Sequence, residues 1–273
     1  MINNNRIQEI IELIHIEDKF FRARWDSFDN LTKEKLMSFW DKCIKYMNDF
    51  TSNQILSQNA EVYLKTRGFF SLVQEKPFRY SEIPKQWRSI LDYPDKMQEL
   101  YSSIHNKLLN FTKLNGIYDN VDFYGSIKTL DSIEKKINLI SKGSAPRKNL
   151  IDIWDLIRFR ICTDDLKQLV KIGYQIWCNY FDNIINCRNY YFMPRNGNVD
   201  DAYRAIHFQI LDSDQCMFEL QLLTKSRDAI SLLDHSIVFR KIIQVDTTNL
   251  ILLQQMSYVS NILEGKEFQT IKI

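Results

Sequence analysis

From Ile7 to about Met47 the apolar positions recur at helical spacing. Ile7, Ile10, Ile11 and Ile14 form one stripe and Leu36, Phe39, Trp40 and Cys43 another. The pattern predicts two helices, with Asn30 or Thr32 as the cap between them. A third helix is predicted from Asn53 to Lys65, stopping before Gly68. Pro77, Pro84 and Pro94 then break any long helix. The aromatics among them (Phe69, Phe70, Phe78, Tyr80, Trp87, Tyr93) are too many for a free linker, so this stretch is expected to pack on something. Helix resumes at Asp95 and runs to about Asn115, with Gly116 as its stop. His15 and His105 lie in these helices and read as structural residues.

After Gly116 the period changes. Strands are predicted at Val121–Lys128, Ile151–Thr163, Asn183–Met193, Tyr203–Leu211 and Cys216–Leu223, and helices at Asp131–Lys142, Asp164–Tyr180, Lys225–Lys241 and Thr248–Leu263. The expected fold class is α+β: a mixed sheet of about five strands flanked by helices, with an N-terminal helical region. Three parts are expected: residues 1–94 helical, 95–245 a catalytic-type domain, and 246–273 a C-terminal helix and tail. There is no GxGxxG and no Walker loop, so neither a dinucleotide fold nor a P-loop enzyme is supported.

Composition narrows the classes. With 273 residues, 45% hydrophobic and 26% charged, a full core is expected and wholesale disorder is not. A net charge of +2 does not by itself argue for a nucleic-acid coat or a membrane surface, so any anion site must come from local clustering. The five cysteines include no CxxC pair and read as reduced core residues of a cytoplasmic protein. The opening stretch, with Glu9, Glu12 and Glu17, does not read as a signal peptide. No run approaches the length of a membrane span, so no membrane partner is expected.

Four clusters carry candidate chemistry. Gly125-Ser126-Ile127-Lys128-Thr129-Leu130-Asp131-Ser132 delivers Lys128 to the mouth of a helix with Ser132 in its first turn and Lys135 and Lys136 behind. Free backbone N–H groups, the helix dipole and lysines make a phosphate site, although an ordinary capped helix with solvated lysines reads the same way. In Ile151–Ile161, strand alternation puts Asp155 in the row of Ile153, Ile157 and Phe159, with Arg158 and Arg160 on the opposite face. Metal binding by Asp155 is therefore expected ahead of a structural ion pair, unless a bulge intervenes. Tyr203 and His207, four apart on one strand, flank the small Ala205 and suggest a shelf for a planar base. In Phe218–Thr224, Glu219 and Gln221 share one face and Phe218, Leu220 and Leu222 the other. A carboxylate in mid-strand costs free energy unless it has a charged partner, a metal or a reaction to serve. Thr224 can cap the next helix.

These clusters, in this order, resemble the synthetase domain of the RelA/SpoT family, whose members make the alarmone (p)ppGpp of the stringent response. Lys128, Ser132 and Ile133 match its Arg-x-Lys-Ser-x-x-Ser-Ile motif. Asp155 to Ile161 matches Asp-x-x-Gly-x-Arg-Ile, Tyr203 to His207 matches Tyr-Arg-Ser-x-His, Glu219 to Thr224 matches Glu-x-Gln-x-Arg-Thr, and Asp234-His235 a following Glu-His. The match covers roughly residues 95 to 242. It implies a nucleotidyltransferase-like sheet that moves the β,γ-pyrophosphate of ATP to a ribose 3′-hydroxyl. Lys128, Ser132, Lys135, Lys136 and Arg160 would hold ATP. Asp155 and Glu219 would be the catalytic carboxylates and Mg²⁺ ligands, Glu219 as ligand or as base. Tyr203, His207 and Gln221 would meet the acceptor.

GDP or GTP is the default acceptor. Toxin-type relatives suggest the tRNA 3′ end or an adenine nucleotide instead, and an antitoxin or regulatory partner on the N-terminal helices. A non-catalytic nucleotide sensor is the rival of another class. No His-Asp dyad is present, so alarmone hydrolysis is not expected. The departures are Ser126 for an arginine, Arg158 for the glycine and Leu223 for an arginine.

Overall fold

The computed structural model of the chain describes residues 5–77, 94–116, 121–129, 132–133, 155–197, 202–213, 217–234 and 247–270. Its helices are α1 (Asn5–Glu17), α2 (Lys19–Ser27), α3 (Asn30–Asp49), α4 (Ser52–Thr66), α5 (Pro94–Leu114), α6 (Leu166–Tyr180), α7 (Lys225–Asp234) and α8 (Thr247–Thr270). Its strands are β1 (Val121–Ile127), β2 (Ile157–Thr163), β3 (Ile184–Asn189), β4 (Ile206–Leu211) and β5 (Met217–Thr224). The first predicted helix is two, α1 and α2. The cap of α3 is neither Asn30 nor Thr32 but Asp29, whose carboxylate accepts from Thr32 N at 2.6 Å. The chain divides into two compact units, each assembled from stretches far apart in sequence.

One unit comprises residues 1–69, 194–204 and 224–273. Its core joins both ends of the chain: Ile14, Phe21 and Trp40 from the first helices lie in one cluster with Leu253, Met256 and Ile262 of α8. Helices α4 and α8 approach closely at Gly265, where an added Cβ would stand 2.0 Å from Val62 Cγ1. Thr224 caps α7, accepting from Arg227 N at 3.2 Å, and its hydroxyl donates to Glu264 of α8.

Glu264 is buried, and burial pushes its carboxyl up to about 7 against the pull of Arg227 and Thr224. The unfolded chain therefore loses this proton first, from about 4.5. Stability falls as pH rises between those values and levels off above the folded one, a loss on the order of 3 kcal/mol. Glu264→Gln is expected to remove that loss. In thermal melts the variant should gain on the parent between about pH 5 and about pH 8. A gap in Tm that does not change with pH would contradict this.

The other unit comprises residues 70–193 and 205–223 and holds a five-stranded sheet ordered β1-β2-β5-β4-β3. β1 runs antiparallel to β2, β4 to β5, and β3 to β4. Arg158 meets Glu219 and Arg160 meets Gln221, so β2 and β5 advance together and the sheet is mixed. The registers sort the side chains by face. Ile157, Phe159, Ile206, Phe208, Leu220 and Leu222 form an apolar face. Against it α5 brings Tyr101, stacked 5.1 Å from Phe159, and α6 brings Gly173 beside Ile206 and Leu222. Gly125 makes the first contact possible, because a Cβ there would stand 2.5 Å from the Phe159 ring. The opposite face carries Tyr124, Ser126, Arg158, Arg160, Glu219, Gln221, His207 and Gln209.

The described cysteines Cys43, Cys162, Cys178 and Cys187 are free thiols. Among the described residues no helix is long and apolar enough to cross a membrane.

Candidate active site

The polar face gathers most of the predicted chemistry into one network. β1 ends at Ile127, paired with Ile157, and Lys128 N then donates to Leu156 O at 2.7 Å. This register places the Lys128 side chain beside Asp155, with Nζ 2.8 Å from Oδ2. Arg158, at the start of β2, donates Nη2 to the same oxygen at 2.5 Å and Nε to Glu219 Oε2 at 2.8 Å. Gln221 Nε2 donates to Glu219 Oε2 at 3.0 Å, and its own Oε1 accepts from Arg160 Nε and Nη2 at 3.0 and 2.8 Å. His207 Nδ1 lies 3.2 Å from Glu219 Oε1, and Tyr190 meets the imidazole edge-on at 5.4 Å.

Glu219 and Asp155 are both buried, 6% and 8% exposed. Burial alone would raise the Glu219 pKa, but the hydrogen bond and charge of His207 and the charge and hydrogen bond of Arg158 outweigh it. They hold the carboxyl well below the usual carboxylate range. Glu219 is therefore held as a carboxylate at neutral pH.

Two expectations are corrected. Asp155 is not in a strand row: it sits in the turn before β2, so alternation does not separate it from Arg158, and it is ion-paired to Arg158 and Lys128. Tyr203 does not share a strand face with His207 either, because β4 begins only at Ile206. Tyr203 belongs to the other unit, where the Arg195 guanidinium lies 4.4 Å from its ring centroid. Ser132 has helical backbone shortly after β1, with Thr129 Oγ1 donating to its hydroxyl at 2.9 Å. Lys135, Lys136 and His235 lie outside the described residues.

Two site residues were not anticipated. Arg158 entered the sequence argument as a residue facing away from Asp155 and as a departure from a glycine, and it proves to join the two carboxylates. Gln209 pairs across the sheet with Glu219, is 8% exposed, and its Oε1 is a buried acceptor with no hydrogen-bond partner. Its position two residues after His207 was the signal that places it on this face.

Two carboxylates are the right donor chemistry for a hard divalent ion. Their arrangement does not fit one: the position between them is taken by Arg158. Among the described residues no group of three ligating side chains gathers.

No family model matches the chain. A guanosine-3′,5′-bis(diphosphate) 3′-pyrophosphohydrolase from Spiroplasma citri is 25% identical over 204 residues, covering 70% of this chain and 25% of that protein. The chain thus spans about a quarter of that relative's length. Among solved structures, the small alarmone synthetase 1 from Bacillus subtilis matches with a TM-score of 0.50 at 16% identity, over 68% of this chain and 96% of that one. The same synthetase bound to its product pppGpp gives a TM-score of 0.51 at 17% identity, over 68% and 97%. A GTP pyrophosphokinase family protein from Streptococcus pneumoniae gives 0.50 at 17% identity, over 69% and 94%.

Proposed function

We infer function first from fold: the chain has the α+β fold of the small alarmone synthetases, and the resemblance to the RelA/SpoT synthetase domain holds at that level. We propose that it is an ATP-dependent pyrophosphokinase that transfers the β,γ-pyrophosphate of ATP to a nucleotide ribose 3′-hydroxyl, with GDP or GTP as acceptor. The network from Lys128 through Asp155, Arg158 and Glu219 to His207, on one face of that sheet, carries the reading. Two fixed cations, Lys128 and Arg158, and two carboxylates form the core of this network, suited to neutralising phosphate charge and positioning a hydroxyl.

In this reading Lys128 and Arg160 hold ATP phosphates, together with Ser132, Lys135 and Lys136. The acceptor's 3′-oxygen attacks the β-phosphorus, the bond between that phosphorus and the α,β-bridging oxygen breaks, and AMP leaves. Glu219 accepts a hydrogen bond from the attacking hydroxyl, whose proton passes to water as the new bond to the β-phosphorus forms. Its depressed pKa makes it a positioning acceptor rather than a strong base. That suits a loose transfer, in which charge stabilisation and alignment do most of the catalysis. His207 and Gln221 hold the Glu219 carboxylate and line the acceptor side. Mg²⁺ accompanies ATP as its counter-ion, and relief of phosphate charge inside the site falls to the chain's own cations.

Incubation with γ-labelled ATP and GDP, GTP, AMP or tRNA in separate reactions tests the acceptor. Label on GDP or GTP is expected. Label confined to tRNA or AMP would replace the alarmone reading with the toxin-type one.

A further inference from the structure

Arg158 stands on β2 with hydrogen-bonded strands on both sides, β1 at Ser126 and β5 at Glu219, so its backbone is fixed. From there its guanidinium reaches Asp155 with one nitrogen and Glu219 with another, at 2.5 and 2.8 Å. We propose that Arg158 is the resident cation of the Asp155–Glu219 pair and keeps a divalent ion out of it.

Charge, geometry and burial agree. The two carboxylates are matched by Lys128 and Arg158, so a divalent ion would add two charges to a cluster already in balance. Both carboxylates are buried, where an unmatched charge is costly. The oxygens of Glu219 are each engaged: Oε2 accepts from Arg158 and Gln221, and Oε1 faces His207. A small hard cation demands several oxygens in near-octahedral array. To enter, it must break two charge-assisted hydrogen bonds and expel a guanidinium whose backbone cannot follow. A glycine at this position would leave the space between the carboxylates open; the arginine fills it. The inference rests on the ion-pair geometry and is independent of the transfer reading.

The test is Mn²⁺ binding to the full chain without nucleotide, read by electron paramagnetic resonance or titration calorimetry. Arg158→Gly is expected to bind Mn²⁺ at least about tenfold more tightly than the parent, since each charge-assisted bond released is worth that much or more. Adding Asp155→Asn to that variant should abolish the gain. Arg158→Gln should shift binding in the same direction, and it carries the test if circular dichroism shows the glycine variant unfolded. Mg²⁺ should likewise raise the Tm of the variants and not of the parent. Parent binding as tight as that of both variants would overturn the proposal, as would a gain that survives Asp155→Asn.

Discussion

Glu219→Gln is expected to lower pyrophosphate transfer about a thousandfold, within the range that a positioned acid–base group contributes. The amide keeps the shape of the side chain and still accepts from Arg158. It loses the charge that holds Arg158 and His207 in place and the acceptor for the attacking hydroxyl. Breaking a buried ion pair also destabilises the chain by a few kcal/mol. Activity should therefore be compared below the variant's melting transition, with circular dichroism confirming the fold. A folded variant that retains parental activity would remove Glu219 from the chemistry. If Asp155→Asn and Glu219→Gln both left the biological effect untouched, the non-catalytic sensor reading would gain.

Asn189→Ala should cost on the order of 4 kcal/mol of stability, or roughly 10 °C in Tm. Asn189 ends β3 fully buried and makes four hydrogen bonds with its side chain. Nδ2 donates to Phe70 O and Val73 O at 2.9 and 2.8 Å, and Oδ1 accepts from Tyr191 N and Phe192 N at 3.2 Å each. It fastens the segment that begins this unit to the turn after β3, where Phe70 stacks on Tyr191 at 4.4 Å. Alanine would remove all four bonds, each worth about 1 kcal/mol net, from a site closed to water. Differential scanning calorimetry gives the measurement, and a loss under about 1 kcal/mol would contradict the account. None of these contacts touches the carboxylate network, so transfer should persist below the lowered transition.

The sheet and its helices were legible because alternation and helical stripes are local. β1, β5, α4 and α5 lie within a few residues of their predicted bounds, and Gly116, at φ +63°, ends α5 as its freedom suggests. What was not legible depends on partners. The apolar alternation of Ile151–Ile161 begins before Ile157, but the pairing with β1 ends at Ile127 and the Lys128–Leu156 hydrogen bond, and Asp155 falls in a turn. The alternation from Tyr203 likewise starts before pairing does, because β5 gives Leu222 to Ile206 and then turns into the cap of α7. The Asp155–Arg158 pair was hidden for this reason: the two would face apart in a strand and meet across a turn. The face shared by Arg158, Glu219 and His207 needed the strand order, which no single segment encodes. The assembly of α1–α4 with α8 was hidden in the same way, since periodicity shows that a face is apolar but not what covers it.

The central claim is that a pyrophosphate unit moves as a whole from ATP to a 3′-hydroxyl. ATP labelled at both the β and γ phosphorus, incubated with the chain and GDP or GTP, tests this directly by mass spectrometry of the products. The account predicts a guanine nucleotide carrying both labels on its 3′-oxygen, with unlabelled AMP formed in equal amount. Transfer of the γ label alone with release of ADP, or no labelled nucleotide with any acceptor, would contradict it.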